Sequence, residues 1–214
     1  ADTGENDQTI EAHSDADAAN ASVAVNINVT PSGVSAGAAI VSARTRAESD
    51  AVGLAGDAEG LKDDDEPTAL ASENDVVRNL GGEVKVTSRA DASTVSVGVN
   101  GQYNGFGGVA IIADTIADSS AIGLFGGSGA DELFNAASVV TTSNAFGSGP
   151  AVAVNPFGAN IGDVNTEASA FSYGLDGGAG DDALSNLGTV ASTANATVSG
   201  QLVQVSLIGA AVGV

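Results

Sequence analysis

The sequence predicts an all-β solenoid, or β-helix: about four stacked coils of 51–56 residues, with glycine-rich turns aligned along one edge. Three observations point there. A short pattern, Asp-x-aliphatic-x-Asn, recurs at Asp75-Val-Val-Arg-Asn79, Asp131-Glu-Leu-Phe-Asn135 and Asp182-Ala-Leu-Ser-Asn186. A Gly-Leu pair precedes each copy, at Gly53-Leu54, Gly123-Leu124 and Gly174-Leu175. Between these anchors, small apolar and polar residues alternate with a period of two, the mark of strands, and no stretch reads as an amphipathic helix.

Composition sets the character of the interior. Hydrophobic residues make up 43% of the 214 positions, yet aromatics are 4% and there is no Trp, Met or Cys. Alanine, valine and glycine carry the apolar content, so the core is expected to be thin. The net charge of −21, from 27 acids against six bases, excludes nucleic acid, whose binders carry a basic face. It also disfavours an anionic membrane surface. No run of ~18 apolar residues is present, and the aromatic girdles of a membrane barrel are missing, so no membrane insertion is expected. Without cysteine there is no disulfide framework, and a metal ion is the other common staple.

The chain reads as one repeat array with units at about 1–52, 53–122, 123–173 and 174–214. In the first, the echo of Glu73-Asn74-Asp75 in Glu5-Asn6-Asp7 suggests a degenerate copy starting at Asp7. Residues 22–30 alternate as a strand, Pro31-Ser32-Gly33 turns, and 34–47 return. Arg44 and Arg46 on that return strand read as solvated edge charges. The second unit carries an acidic insertion from 56 to about 72, fourteen residues longer than its counterparts, followed by strands at 83–87, 93–99 and 109–113. The third has strands at 137–142, 151–154 and 168–171, with Pro150 and Pro156 at bends. The fourth has them at 189–198 and 202–208. The pairs Val25 and Ile27, Val97 and Val99, Val152 and Val154, Val203 and Val205 recur at matching places and are expected to stack as an interior aliphatic ladder.

Two stretches carry the chemistry. Gly126-Gly-Ser-Gly-Ala-Asp-Glu-Leu-Phe134 and Gly177-Gly-Ala-Gly-Asp-Asp-Ala-Leu-Ser185 both fit G-G-x-G-x-D-x-U-x, the calcium-binding nonapeptide of β-helix repeats. Glycine turns the backbone through φ > 0, with carbonyls expected to aim inward, and aspartate adds a hard anionic oxygen. The metal candidates are Asp131, Asp182, Gly126, Gly127, Gly129, Gly177, Gly178 and Gly180, then Asp181, Asp75, Asn74, Asp7 and Asn6. On these two motifs, 18 of 214 residues, the chain resembles the RTX, or haemolysin-type, calcium-binding repeat family. The resemblance implies a parallel β-roll or β-helix, Ca2+ held by the sixth-position aspartates and loop carbonyls, secretion from a bacterium and folding outside the cell. The family runs its nonapeptides in tandem, whereas these stand 51 residues apart, which argues for a wider coil.

Catalysis has little to stand on: the only histidine, His13, is flanked by acids, and no nucleophile elbow, zinc motif or phosphate loop occurs. The expected function is therefore a calcium-stabilised extracellular or cell-surface structural protein, a filament, surface-layer or adhesin-stalk subunit, and not an enzyme. Alternatives are a polysaccharide- or ice-binding solenoid face, or a non-catalytic repeat segment of a larger secreted RTX-like protein. No charged residue follows Asp182, and an uncharged end coil is an open sheet edge. The expected partner is a second copy stacked head to tail.

Overall fold

The computed structural model describes residues 2–29, 33–56, 74–103, 105–208 and 211–213, and these form a parallel β-solenoid without a helix. Each coil has one short strand and two long ones. The short strands β1 (Thr3–Asn6), β4 (Val76–Asn79), β7 (Glu132–Asn135) and β9 (Ala183–Asn186) stack into a narrow sheet along one edge. The first broad sheet holds β2 (Ile10–Val29), β5 (Glu83–Tyr103), the first half of β8 (Ser138–Gly180) and β10 (Thr189–Ile208). The second holds β3 (Ser35–Ala55), β6 (Gly105–Gly129), the rest of β8 and β11 (Ala211–Gly213). At ~3.3 Å per residue the long strands span roughly 65 Å, so each coil is a wide, flat loop. Strands expected as separate short pieces, such as 83–87 and 93–99, are continuous.

The register corrects the first repeat. Asn6 pairs with Asn79, so Asp2 and not Asp7 stands opposite Asp75, an offset of 73. The later offsets are 56, at Asn79 to Asn135, and 51, at Asn135 to Asn186. Leu54 pairs with Leu124 at an offset of 70 while Asn79 pairs with Asn135 at 56, so the predicted fourteen-residue insertion is real in length. Its residues 57–73 lie outside the described ones. Without it the first coil has 59 residues, a little above the expected range.

The interior changes character from edge to tip. Beside the narrow sheet sits the apolar core: Val77, Val84, Val86, Leu124, Leu133 and Val139, with Leu54 and Leu175 against it. The Gly-Leu pair explains itself here. A Cβ on Gly53 would stand 2.5 Å from Val84 Cγ1, and Gly123 and Gly174 face Val139 and Val190 in the same way. Each glycine makes room for the valine opposite, and the neighbouring leucine fills the layer. Mid-slab the core is alanine only, Ala47, Ala90, Ala92, Ala117 and Ala145. Hydroxyls zigzag beside it: Ser143 donates to Ser119, Ser119 to Ser88, and Ser88 to Ser49, at 2.8–2.9 Å. Toward the tip a second apolar cluster, Val41, Val109 and Ile111 with Ala151 and Ala153, fills the slab, and amides lie beside it. Asn26, Asn100 and Asn155 lie in register and donate across the slab to the carbonyls of Ala38, Gly108 and Ala159, themselves in register, at 3.0–3.2 Å.

The valine ladder is in register but on the other side of the sheet. Val23, Val97, Val152 and Val203 form one row, and Val25, Val99, Val154 and Val205 the next. In the outermost first coil Val23 is 68% and Ile27 70% exposed. The expected aliphatic interior is thus an outer face, and the expected pairing of Val25 with Val97 is shifted by one step. Alternation left the parity open. Val41, Val109 and Ile111 of the second sheet already fill the interior at this level, where a Cβ on Gly98 would stand 2.5 Å from Val109 Cγ1, and the amides beyond them serve backbone carbonyls.

The charges are unevenly placed. Residues 18–43, 92–113, 133–162 and 183–214 contain no charged side chain, so on the first broad sheet the charges lie toward the narrow sheet, while on the second Asp163 stands only five residues past Gly158. Arg44 and Arg46 are solvated charges on the edge strand β3, as expected, and they pair with Asp114 and Asp118 one coil along, at 3.1 and 3.2 Å. Arg89 donates to Asp91, which raises its pKa above the ordinary arginine value, and it lies 5.5 Å over the Phe146 ring.

Candidate metal centre at the glycine edge

The aspartates of the repeated pattern open the short strands and turn inward. Asp75 and Asp131 are 1% and 2% exposed. Each carboxylate has one committed oxygen. Asp75 Oδ1 accepts the Asp2 amide at 2.6 Å, Asp131 Oδ1 that of Asp75 at 2.8 Å, and Asp182 Oδ1 that of Asp131 at 3.0 Å. A parallel ladder follows four residues later. The Asn6, Asn79 and Asn135 amides donate to the Oδ1 atoms of Asn79, Asn135 and Asn186 at 3.0, 2.9 and 2.7 Å. Both ladders run in one direction along the stack. They fix where the glycine loops meet the aspartates.

The second oxygens are different. Asp75 Oδ2 and Asp131 Oδ2 are fully enclosed and have no hydrogen-bond partner. Each lies against a glycine where a side chain would collide with it: a Cβ on Gly56 would stand 3.0 Å from Asp75 Oδ2, and one on Gly126 2.8 Å from Asp131 Oδ2. Gly177 repeats this toward Asp182 Oδ2 at 2.5 Å. The structure therefore stacks three carboxylate oxygens in glycine-lined niches, coil upon coil. Burying an uncompensated carboxylate costs several kcal/mol. A hard cation is the natural complement of such oxygens.

The glycine loops behave as expected in one respect and differently in another. Gly127, Gly129, Gly178 and Gly180 take φ of 107°, 147°, 84° and 146°, the region that favours glycine. Two of their carbonyls are engaged along the stack. Gly127 pairs with Gly178 and Gly129 with Gly180 in a continuing parallel ladder, and the Gly127 and Gly129 carbonyls face the next loop along the stack. The residues fit a cation through the carboxylate Oδ2 atoms, and the Gly126 and Gly177 carbonyls lie against the same glycines, Gly56 and Gly126. Among the described residues no three acids converge on one point, so further oxygens must come from outside the aspartate column.

Of the remaining candidates, Asn74 is exposed and its Oδ1 accepts the Ala130 amide at 2.9 Å, tying adjacent loops together. Asp181 is exposed beside Asp182. Asn6 belongs to the asparagine ladder and Asp7 lies one residue beyond it, so neither sits with the aspartates. Sequence reasoning missed Asp2, because Gly4 stands where the pattern wants an aliphatic, and Gly56, which precedes the insertion. The Asp2…Asn6 spacing alone would have found the first. His13 lies exposed on the outer face of β2, opposite Thr87.

No protein-family model, no curated protein and no solved structure matches the chain.

Proposed function

We propose that the chain is a calcium-clamped structural solenoid that works outside the cell, at or on a bacterial surface, as part of a filament, layer or stalk. The observation that carries this is the pair of buried, partnerless oxygens, Asp75 Oδ2 and Asp131 Oδ2, aligned in successive coils beside Gly56 and Gly126. Calcium supplies charge neutralisation there, and the two aspartates, with Asp182 next in line, hold it. The resemblance of the two glycine motifs to RTX repeats points the same way, including to secretion. The affinity expected is that of extracellular modules, with dissociation constants of ~0.1–1 mM.

The outer edges of β2 and β10 have no partner strand among the described residues. The Asp2-to-Asp182 and Asn6-to-Asn186 ladders would each continue if a second copy placed Asp2 and Asn6 over Asp182 and Asn186. Head-to-tail stacking is the resulting assembly.

Thermal unfolding in calcium, in magnesium and in chelator tests the reading. Calcium raises Tm by several degrees, while magnesium, which demands tighter octahedral geometry, does so far less. Equal melting in all three conditions would rule the clamp out.

A further inference from the structure

The two valine rows on the outer face of the first broad sheet serve no purpose in the solenoid itself. We propose that this face is a self-association surface, on which a second copy of the chain packs sheet against sheet. The face is built for it. The rows are in strict register through all four coils, and β2 extends them with the exposed Ile27 and Val29. All are β-branched, so the surface is flat and stiff.

Area selects the partner. The exposed apolar surface of the grid is roughly 700 Å² per copy, close to the ~800 Å² each side contributes to a standard stable interface. Such a patch exceeds what an ordinary monomer leaves open. The second broad sheet is a poorer choice, since Asp114 follows exposed Ile112 by only two residues and Arg44 pairs with it.

Charge selects the orientation. Asp17 and Asp91, on the same outer face, lie six residues from Val23 and Val97, about 20 Å along the strands. That exceeds the ~8 Å screening length at physiological salt. A two-fold axis along the stacking direction overlaps the uncharged tips and sends the two acidic halves outward in opposite directions. Copies sharing one strand direction would instead lay acidic half over acidic half.

The contact is distinct from end-to-end stacking and the tests separate them. The chain has no cysteine, so Val97→Cys places a single thiol at the centre of the grid. Mild oxidation should link this variant into dimers and leave Thr142→Cys, on the same outer face in the polar half, monomeric. By sedimentation velocity in calcium the protein should dimerise at micromolar concentration. Val97→Lys combined with Val152→Lys, on the outer face and therefore compatible with folding, should weaken the dimer at least about tenfold with an unchanged circular dichroism spectrum. Asn186→Ala, at the stack end, should leave it intact. The proposal is overturned by a monomer at 100-fold higher concentration, by a dimer indifferent to the lysine pair or lost in Asn186→Ala, by equal cross-linking of both cysteine variants, or by grid-dependent flotation with neutral phosphatidylcholine vesicles in place of dimerisation.

Discussion

Asp131 shows how one side chain can hold two roles. Its Oδ1 closes the corner by accepting the Asp75 amide, and its Oδ2 faces Gly126 with no partner. Asp131→Asn keeps an Oδ1 acceptor and removes the charge, so its effect should change sign with the metal. In chelator the variant is more stable than the parent by about 1–2 kcal/mol, because a buried anion has gone. In saturating calcium it is less stable by a similar amount, because the cation has lost a ligand. Chemical denaturation in the two buffers measures both arms, and the same sign in each would refute the assignment. Gly123 is a purely steric case. Gly123→Ala pushes a methyl into Val139 and should cost about 2–3 kcal/mol. Adding Val139→Ala relieves only that contact and leaves the clash with the Gly174 carbonyl, so the double variant should recover only part of the loss.

At the scale of the element, the ladders decide the register that hydrophobic pattern leaves open. Asn135 donates to Asn186 and accepts from Asn79, both inside the narrow sheet. Asn135→Ala strands its two neighbours and should lower stability by about 1–3 kcal/mol in calcium and chelator alike. A loss confined to calcium would instead place Asn135 among the metal ligands. The repeat was legible where its spelling is complete: Asp75, Asp131 and Asp182 each open a strand with an aliphatic two residues on. It was obscured at Asp2, where Gly4 fills that place, and the resemblance of 5–7 to 73–75 drew the alignment five residues away. The alternation around Val97 and Val152 identified strands correctly and their inner face wrongly. Gly98 and Ala153 turn inside because Val109 and Ile111 of the facing sheet occupy that layer, and Asn100 and Asn155 bring their amides in beside them. The glycine loops were legible in their φ angles and not in their carbonyl direction, which the neighbouring coil dictates.

The whole molecule is a slab with two unlike halves. One carries most of the described charges, with an apolar core and carboxylates stacked at its edge; the other has an uncharged, apolar outer face on the first broad sheet, with aliphatics and amides within. A net charge of −21 opposes compaction, and both simple salt and calcium relieve it. They should differ in dose. Calcium at a few millimolar should stabilise the fold as much as sodium chloride on the order of 1 M, since screening acts on exposed charges and leaves enclosed Oδ2 atoms uncompensated. Equal effects at equal ionic strength would reduce calcium to a counterion. The most direct test of the clamp is an anomalous difference map from crystals grown in calcium or a lanthanide substitute. The account predicts peaks ~2.4 Å from Oδ2 of Asp75 and of Asp131, repeating coil by coil. Peaks only in the acidic insertion, or none beside those two atoms, would contradict it.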